Sequence, residues 1–269
     1  MRWARIDDAG TPRYGIVEGE NIELVEGDLF APGGRSGRTV AVDEATYLPP
    51  VIPRTFYAAG QNYAEHVREI ARAANREPVL PDKPDVGYRA VNALIGHGQP
   101  IVKPADSTDA FQYEGELVVV IGRRARNLSE RDALGCVFGY TIGNDVSERT
   151  WQRTDRTLWR AKNTDTFKPM GPWIETAVDL DSLVTTVRLS GREVISFPTN
   201  SMIFGVARYI STMSRYLTLE PGDMLWMGTE GHAENMKPGD LCEVEISGIG
   251  TLSNPVVSED VAPGRGGPR

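Results

Sequence analysis

Glu114 and Glu116 stand two residues apart in the run Tyr113-Glu114-Gly115-Glu116-Leu117-Val118-Val119-Val120-Ile121-Gly122. Side chains two apart on a strand share a face, so this run sets two carboxylates side by side at the mouth of an apolar strand. Like charges held that close need a cation between them or a shared proton. Asp145, at the carboxyl end of the next strand-like run, is the natural third member. Three carboxylates with no cysteine and no obligatory histidine describe a site for a hard cation such as magnesium, manganese or calcium. Two plainer readings compete. The glutamates would suit the solvent face of an edge strand, and Asp145 would suit a helix N-cap.

The chain has only three histidines, His66, His97 and His232. His66 and Glu69 are spaced i, i+3 and can touch on one helix face, the carboxylate orienting an imidazole base. Glu69 can equally pair with Arg68 or Arg72. Lys162 is one of five lysines against 24 arginines. Arg149 and Gln152 share a helix face and can hold an anionic or carbonyl group. His97 and His232 fall in loops and receive no role.

The elements that must position these groups follow from pattern. Residues 2–7, 14–18 and 21–25 are strand-like and separated by turn formers, with 31–37 as loop and 48–53 as an extended, proline-rich linker. This predicts a small N-terminal β-domain or arm over residues 1–50. A strand over 55–60 leads to a helix expected to start at Asn62, with Glu65 completing a capping box. Ser129 caps a short helix, residues 138–144 form a strand, and a helix is expected after Asp145. Residues 165–173 read as loop, 183–189 and 193–197 as a hairpin, and 203–217 as a helix. Two Pro-Gly-Asp turns, at 221–223 and 238–240, suit type II and each precede a strand. The tail, residues 258–269, reads as disordered on its glycine, proline and arginine content.

A formal net charge of −8 over 269 residues argues against a nucleic-acid partner and fits an enzyme holding a small anion with a few local cations. No stretch approaches the roughly 20 apolar residues of a membrane span, and the first residues lack a signal-peptide core. Cys136 and Cys242 are the only cysteines, so neither a disulfide framework nor a thiolate zinc site is expected, and the cytoplasm is the expected location.

Taken in order, these segments become specific. Asn62-Tyr63-Ala64-Glu65-His66-Val67-Arg68-Glu69 resembles the Asn-Tyr-x-x-His-x-x-Glu segment of the fumarylacetoacetate hydrolase family, and Tyr113 to Leu117 its Tyr-Glu-x-Glu-Leu strand. Gly139-Tyr140-Thr141-Ile142-Gly143-Asn144-Asp145-Val146-Ser147 and the Arg149-x-x-Gln152 that follows continue the match, as do Lys162 and the segment Asp165-Thr166-Phe167-Lys168-Pro169-Met170-Gly171-Pro172-Trp173. The resemblance covers roughly residues 54–257. It implies an α+β, mainly β fold: a mixed β-sandwich roll of the family's C-terminal type, beside the small N-terminal β-domain, with few helices and a homodimeric state. It implies a divalent cation, commonly magnesium, on Glu114, Glu116 and Asp145, and a water-activating dyad of His66 and Glu69. Lys162, Arg149 and Gln152 would face substrate oxygens. One departure stands out: where the family carries Thr-Gly-Thr-Pro, this chain has Met227-Gly228-Thr229-Glu230-Gly231-His232. Thr229 in that loop is expected to contact substrate.

The activity this implies is hydrolysis of a carbon–carbon bond in a 2,4-diketo acid of the acylpyruvate type. The same apparatus would serve an oxaloacetate-type decarboxylase or a 2-hydroxydienoate isomerase or tautomerase, because all stabilise an enolate. A catalytically silent metal-binding scaffold is the non-enzymatic alternative.

Overall fold

The computed structural model describes residues 1–261. Four antiparallel strands open the chain: β1 (Arg2–Asp8), β2 (Thr11–Glu18), β3 (Asn21–Asp28) and β4 (Ala31–Ala41). Next come β5 (Phe56–Gly60), helix α1 (Ala64–Ala73), β6 (Asp85–Tyr88), β7 (Leu94–Ile95), β8 (Ile101–Lys103), β9 (Phe111–Gln112) and β10 (Gly115–Ile121). Helix α2 (Glu130–Ala133), β11 (Val137–Asn144), β12 (Ser147–Glu148), helix α3 (Arg149–Gln152) and β13 (Lys168–Glu175) complete the middle of the chain. The last part contains β14 (Val184–Leu189), β15 (Arg192–Pro198), helix α4 (Val206–Tyr216), β16 (Met224–Trp226), β17 (Leu241–Ile246) and β18 (Gly250–Ser258). Among the described residues, no helix is long and apolar enough to cross a membrane.

The larger sheet runs β4-β3-β2-β1-β13-β11-β10-β16-β5-β6, with β7 beside β13; a five-stranded sheet, β15-β14-β17-β18-β8, covers one of its faces. This is the mainly β, mixed-sheet architecture expected. The N-terminal strands join the body through β1, which pairs with β13 and extends the large sheet.

Strand β10 lies in the middle of the large sheet, between β11 and β16. Its alternation explains the unbroken Leu-Val-Val-Val-Ile run. Leu117, Val119 and Ile121 enter the core shared with Val187, Val244 and Leu252 of the second sheet. Val118 and Val120 enter a second core on the opposite face with Met170, Ile174 and Trp226. A strand buried on both faces has no need of polar alternation. At Gly115 the layers approach closely: an added Cβ would lie 2.9 Å from both Val187 and Val244.

Several local expectations are corrected. Residues 31–37 are not loop but the start of β4. Their proline and glycines are accommodated because β4 is an edge strand whose pairing with β3 shifts register twice. Residues 168–173 belong to β13, which runs between β1 and β11 in spite of Pro169 and Pro172; a register irregularity on the β11 side absorbs them. Helix α4 starts after Gly205 rather than at Ile203. The two residues that follow Val146 form the short strand β12 before helix α3, whose N-cap is Glu148 and not Asp145. The chain remains ordered through β18 to Ser258 and a turn at Glu259–Val261, and the rest of the expected tail lies outside the described residues.

Other readings match the structure. Ser129 accepts from the Asp132 amide at the start of α2. Gly222 and Gly239 take φ of +88° and +97° in the two Pro-Gly-Asp turns, as type II requires.

Candidate active site

The entry to β10 and the exit of β11 are adjacent in register, Gly115 opposite Asn144 and Glu116 opposite Gly143. This pairing brings Glu114, one residue before β10, beside Asp145, one residue after β11. Asn144 fixes the junction by accepting the Glu114 amide at 3.0 Å on Oδ1, while the Asp145 amide donates to the Glu114 carbonyl at 2.9 Å. Carboxylate oxygens of Glu114, Glu116 and Asp145 lie within 4.8 Å of one another, and all three residues are buried. The central position of β10 removes the reading in which the glutamates face solvent from an edge.

Cations surround two of the three acids. Lys162 Nζ bridges Glu114 Oε2 at 2.6 Å and Asp145 Oδ2 at 2.8 Å, and Arg149 Nη1 meets Glu114 Oε1 at 2.6 Å. Arg149 also donates to Gln152 at 3.0 Å and to Gln112 at 2.8 Å, so Gln152 supports the arginine that it was expected to accompany. Arg89 clasps Asp145 from the end of β6, with Nη2 at 2.8 Å from Oδ2 and Nε at 3.1 Å from Oδ1. Lys168, fully buried at the start of β13, reaches Asp145 Oδ1 at 2.6 Å and donates to the carbonyls of Phe167 at 2.8 Å and Val146 at 3.1 Å.

The electrostatics follow from these partners. Burial raises the Glu114 carboxyl, but Lys162 and Arg149 outweigh it and bring the group down to about 2. Burial likewise opposes ionisation of Asp145, yet Arg89, Lys162 and Lys168 hold it well below the usual carboxylate range. Burial pulls Lys168 below the ordinary lysine value, against the opposing pull of Asp145. Glu116 differs. It makes no ion pair among the described residues, and its bond from the Gly228 amide at 2.7 Å does not offset burial and two neighbouring carboxylates, which push it up to about 8. A buried carboxylate short of a positive partner beside two ionised acids is what a divalent cation would relieve. The donor set, three carboxylate oxygens, suits a hard cation.

His66 lies on α1, and its expected partnership with Glu69 is not formed. Glu69 accepts from Arg72 at 2.6 Å on the exposed side of the helix, while His66 Nδ1 lies 3.0 Å from the Gly231 carbonyl. The expected capping box is absent as well: Tyr63 is the N-cap and makes no side-chain cap. Asn62 is engaged elsewhere, its Nδ2 donating to the Met227 and Phe204 carbonyls and its Oδ1 accepting the Phe204 amide. The cap comes instead from Glu230, whose Oε1 accepts the His66 amide at 3.1 Å. Burial holds His66 below its ordinary pKa, with the Glu114 charge opposing. The ring is therefore neutral near pH 7, and with a proton on Nδ1 for the carbonyl its Nε2 is left as an acceptor.

The loop over residues 227–232 thus touches both halves of the site, with Gly228 on Glu116 and with Glu230 and Gly231 on His66. Thr229 is buried between them, and no hydrogen bond of its side chain is found among the described residues. His97 accepts from the Ser253 amide and stacks edge-on against Tyr47, a structural part away from the carboxylates. Arg89, Lys168 and the capping role of Glu230 were not drawn from the sequence. Arg89 had no signal beyond its place at a strand end, and Lys168 was hidden in a segment read as loop.

A buried triad of carboxylates, bracketed by lysine and arginine, thus sits where the entry of β10 meets the exit of β11. Comparison with known proteins gives the family. The model of the fumarylacetoacetate hydrolase C-terminal domain matches residues 55–257, and an Rv2993c-like N-terminal model matches residues 1–50. The chain belongs to the fumarylacetoacetate hydrolase family. Protein Rv2993c of Mycobacterium tuberculosis is 36% identical over 267 residues, covering 96% of this chain and 98% of its own. The 4-hydroxyphenylacetate degradation bifunctional isomerase/decarboxylase of Salmonella dublin is 37% identical over 264 residues, 94% of this chain but 59% of the relative. The crystal structure of 5-carboxymethyl-2-hydroxymuconate delta-isomerase from Mycobacterium smegmatis superposes with a TM-score of 0.86 at 33% identity, covering 96% of this chain and all of that one.

Proposed function

We propose that this protein is a divalent-cation-dependent enzyme that turns over a small anionic 2-oxo acid through its enolate, by isomerisation or decarboxylation. The observation that carries the reading is Lys162 bridging Glu114 and Asp145 inside a buried triad whose third member, Glu116, lacks a cation. Glu114, Glu116 and Asp145 would hold the metal, magnesium being the first choice and manganese or calcium alternatives. When bound, such a cation supplies Lewis-acid charge for a developing enolate. Lys162 stands ready to donate to an enolate oxygen, an electrostatic role in a site with little access for water. Arg149, braced by Gln112 and Gln152, offers a guanidinium for a substrate carboxylate. The relatives named as isomerase and isomerase/decarboxylase support this reading.

Hydrolysis of an acylpyruvate-type carbon–carbon bond is the second reading, and His66 favours it. A neutral imidazole with Nε2 free is a competent base for water. Its orienting partner would be the Gly231 carbonyl, since Glu69 faces Arg72. A homodimeric state and a cytoplasmic location accompany the proposal as expectations of the family resemblance.

The test is a panel of oxaloacetate, 2-hydroxydienoates and acylpyruvates incubated with magnesium or manganese, with products resolved by NMR. Turnover of the first two classes, abolished by chelation and restored by metal, is expected. Cleavage of acylpyruvates alone would install the hydrolytic reading, and turnover that survives full chelation would remove the metal from both.

A further inference from the structure

Asp145 carries more positive charge than one carboxylate needs. Arg89 and Lys162 already meet its oxygens from the side of the triad, and Lys168 arrives from the start of β13. An ammonium has three N–H donors, and Lys168 has three acceptors: Asp145 Oδ1 at 2.6 Å, the Phe167 carbonyl at 2.8 Å and the Val146 carbonyl at 3.1 Å. A neutral amine would leave one of them unmet. The residue is 0% exposed, so it does not reach substrate and can act only through Asp145.

We propose that Lys168 is a positioning residue that sets metal affinity: a fixed cation behind Asp145 that aims this carboxylate and weakens the hold of the triad on a divalent ion. The proposal rests on the reading of the triad as the metal site. A positive charge held at 2.6 Å from a ligand carboxylate draws on the same negative charge that a metal ion needs, and it repels that ion through an interior that screens poorly. Glu114 and Asp145 together already meet four cations, so the site has strong internal compensation before any metal enters.

The experiment is calorimetric titration of chelator-stripped protein with manganese chloride, for the wild type, Lys168→Gln and Lys168→Arg, with circular dichroism confirming the fold. Lys168→Gln keeps hydrogen-bond donors but loses the charge and should bind manganese at least about tenfold more tightly. Lys168→Arg should stay near the wild type. Unchanged or weaker binding by a folded Lys168→Gln overturns the proposal. Binding by neither protein would sink the triad as a metal site, and the proposal with it. If the glutamine variant does not fold, Arg89→Gln strips a different cation from the same carboxylate and must tighten binding in the same direction; unchanged affinity there overturns the idea.

Discussion

Glu230→Ala and Glu69→Ala make a sharp pair, because the first glutamate touches the helix that carries His66 and the second points away from it. Loss of the Glu230 cap should cost about 1 kcal/mol in urea denaturation. The same change should lower kcat/KM by tenfold or more, as His66 loses its seat. Glu69→Ala should leave kcat/KM within about threefold, since only an exposed pair with Arg72 is lost. A collapse of activity in Glu69→Ala would mean that the helix rearranges to bring the two side chains together when substrate binds. At this scale the sequence was most informative where chemistry and register coincide. Glu114, Glu116 and Asp145 converge because the paired ends of β10 and β11 bring them together, and Arg149 and Lys162 reach them from α3 and from the loop before β13. It was least informative for partners that arrive from far along the chain, such as Glu230 on the His66 amide, 164 residues away.

Among the elements, the junction of β10, β11 and β16 admits a clear test. The Gly143 Cα faces the ring of Trp226, and an added Cβ would stand 2.6 to 2.8 Å from three of its ring carbons. Trp226 is fully buried and packs against Phe56 with ring centroids 5.1 Å apart, so it has little room to yield. Gly143→Ala should therefore destabilise the fold by about 1 to 3 kcal/mol, read as a lowered urea midpoint. Since Gly143 lies opposite Glu116, the same variant should also loosen the triad. Strands with strong apolar runs, β10 and β11, were legible from pattern alone. β13 was not, because Pro169 and Pro172 argue locally against a strand, and only its neighbours β1 and β11, whose paired residues lie at least 169 and 27 positions earlier in the chain, supply the pairing that holds it. β4 failed for the opposite reason, an edge strand that needs little from its own residues.

For the whole molecule, the continuous sheet from β4 to β6 makes residues 1–50 part of one hydrogen-bonded body. The two cysteines report on whether the packed sheets open together. Cys136 is buried beside β11, and Cys242 on β17 lies in the core between the sheets, where burial pushes its thiol up to about 12 despite the bond from Asn144. A thiol shifted upward is protonated at pH 8, whereas in an unfolded chain, with an ordinary value nearer 9, a part of it is thiolate. Alkylation at pH 8 should thus be slow in the native protein and should rise for both cysteines over one denaturant range. Labelling of Cys242 well below the unfolding midpoint would show that the two sheets part before the molecule unfolds. The outermost strand has a further consequence. β4 presents Pro32, three glycines and two register shifts along its length, and Arg35 and Arg38 along it are tied to Glu18 of β2 and Asp8 of β1. A backbone so interrupted offers no regular ladder to an incoming strand, so the long sheet ends in a blunt edge that resists growth from one molecule to the next.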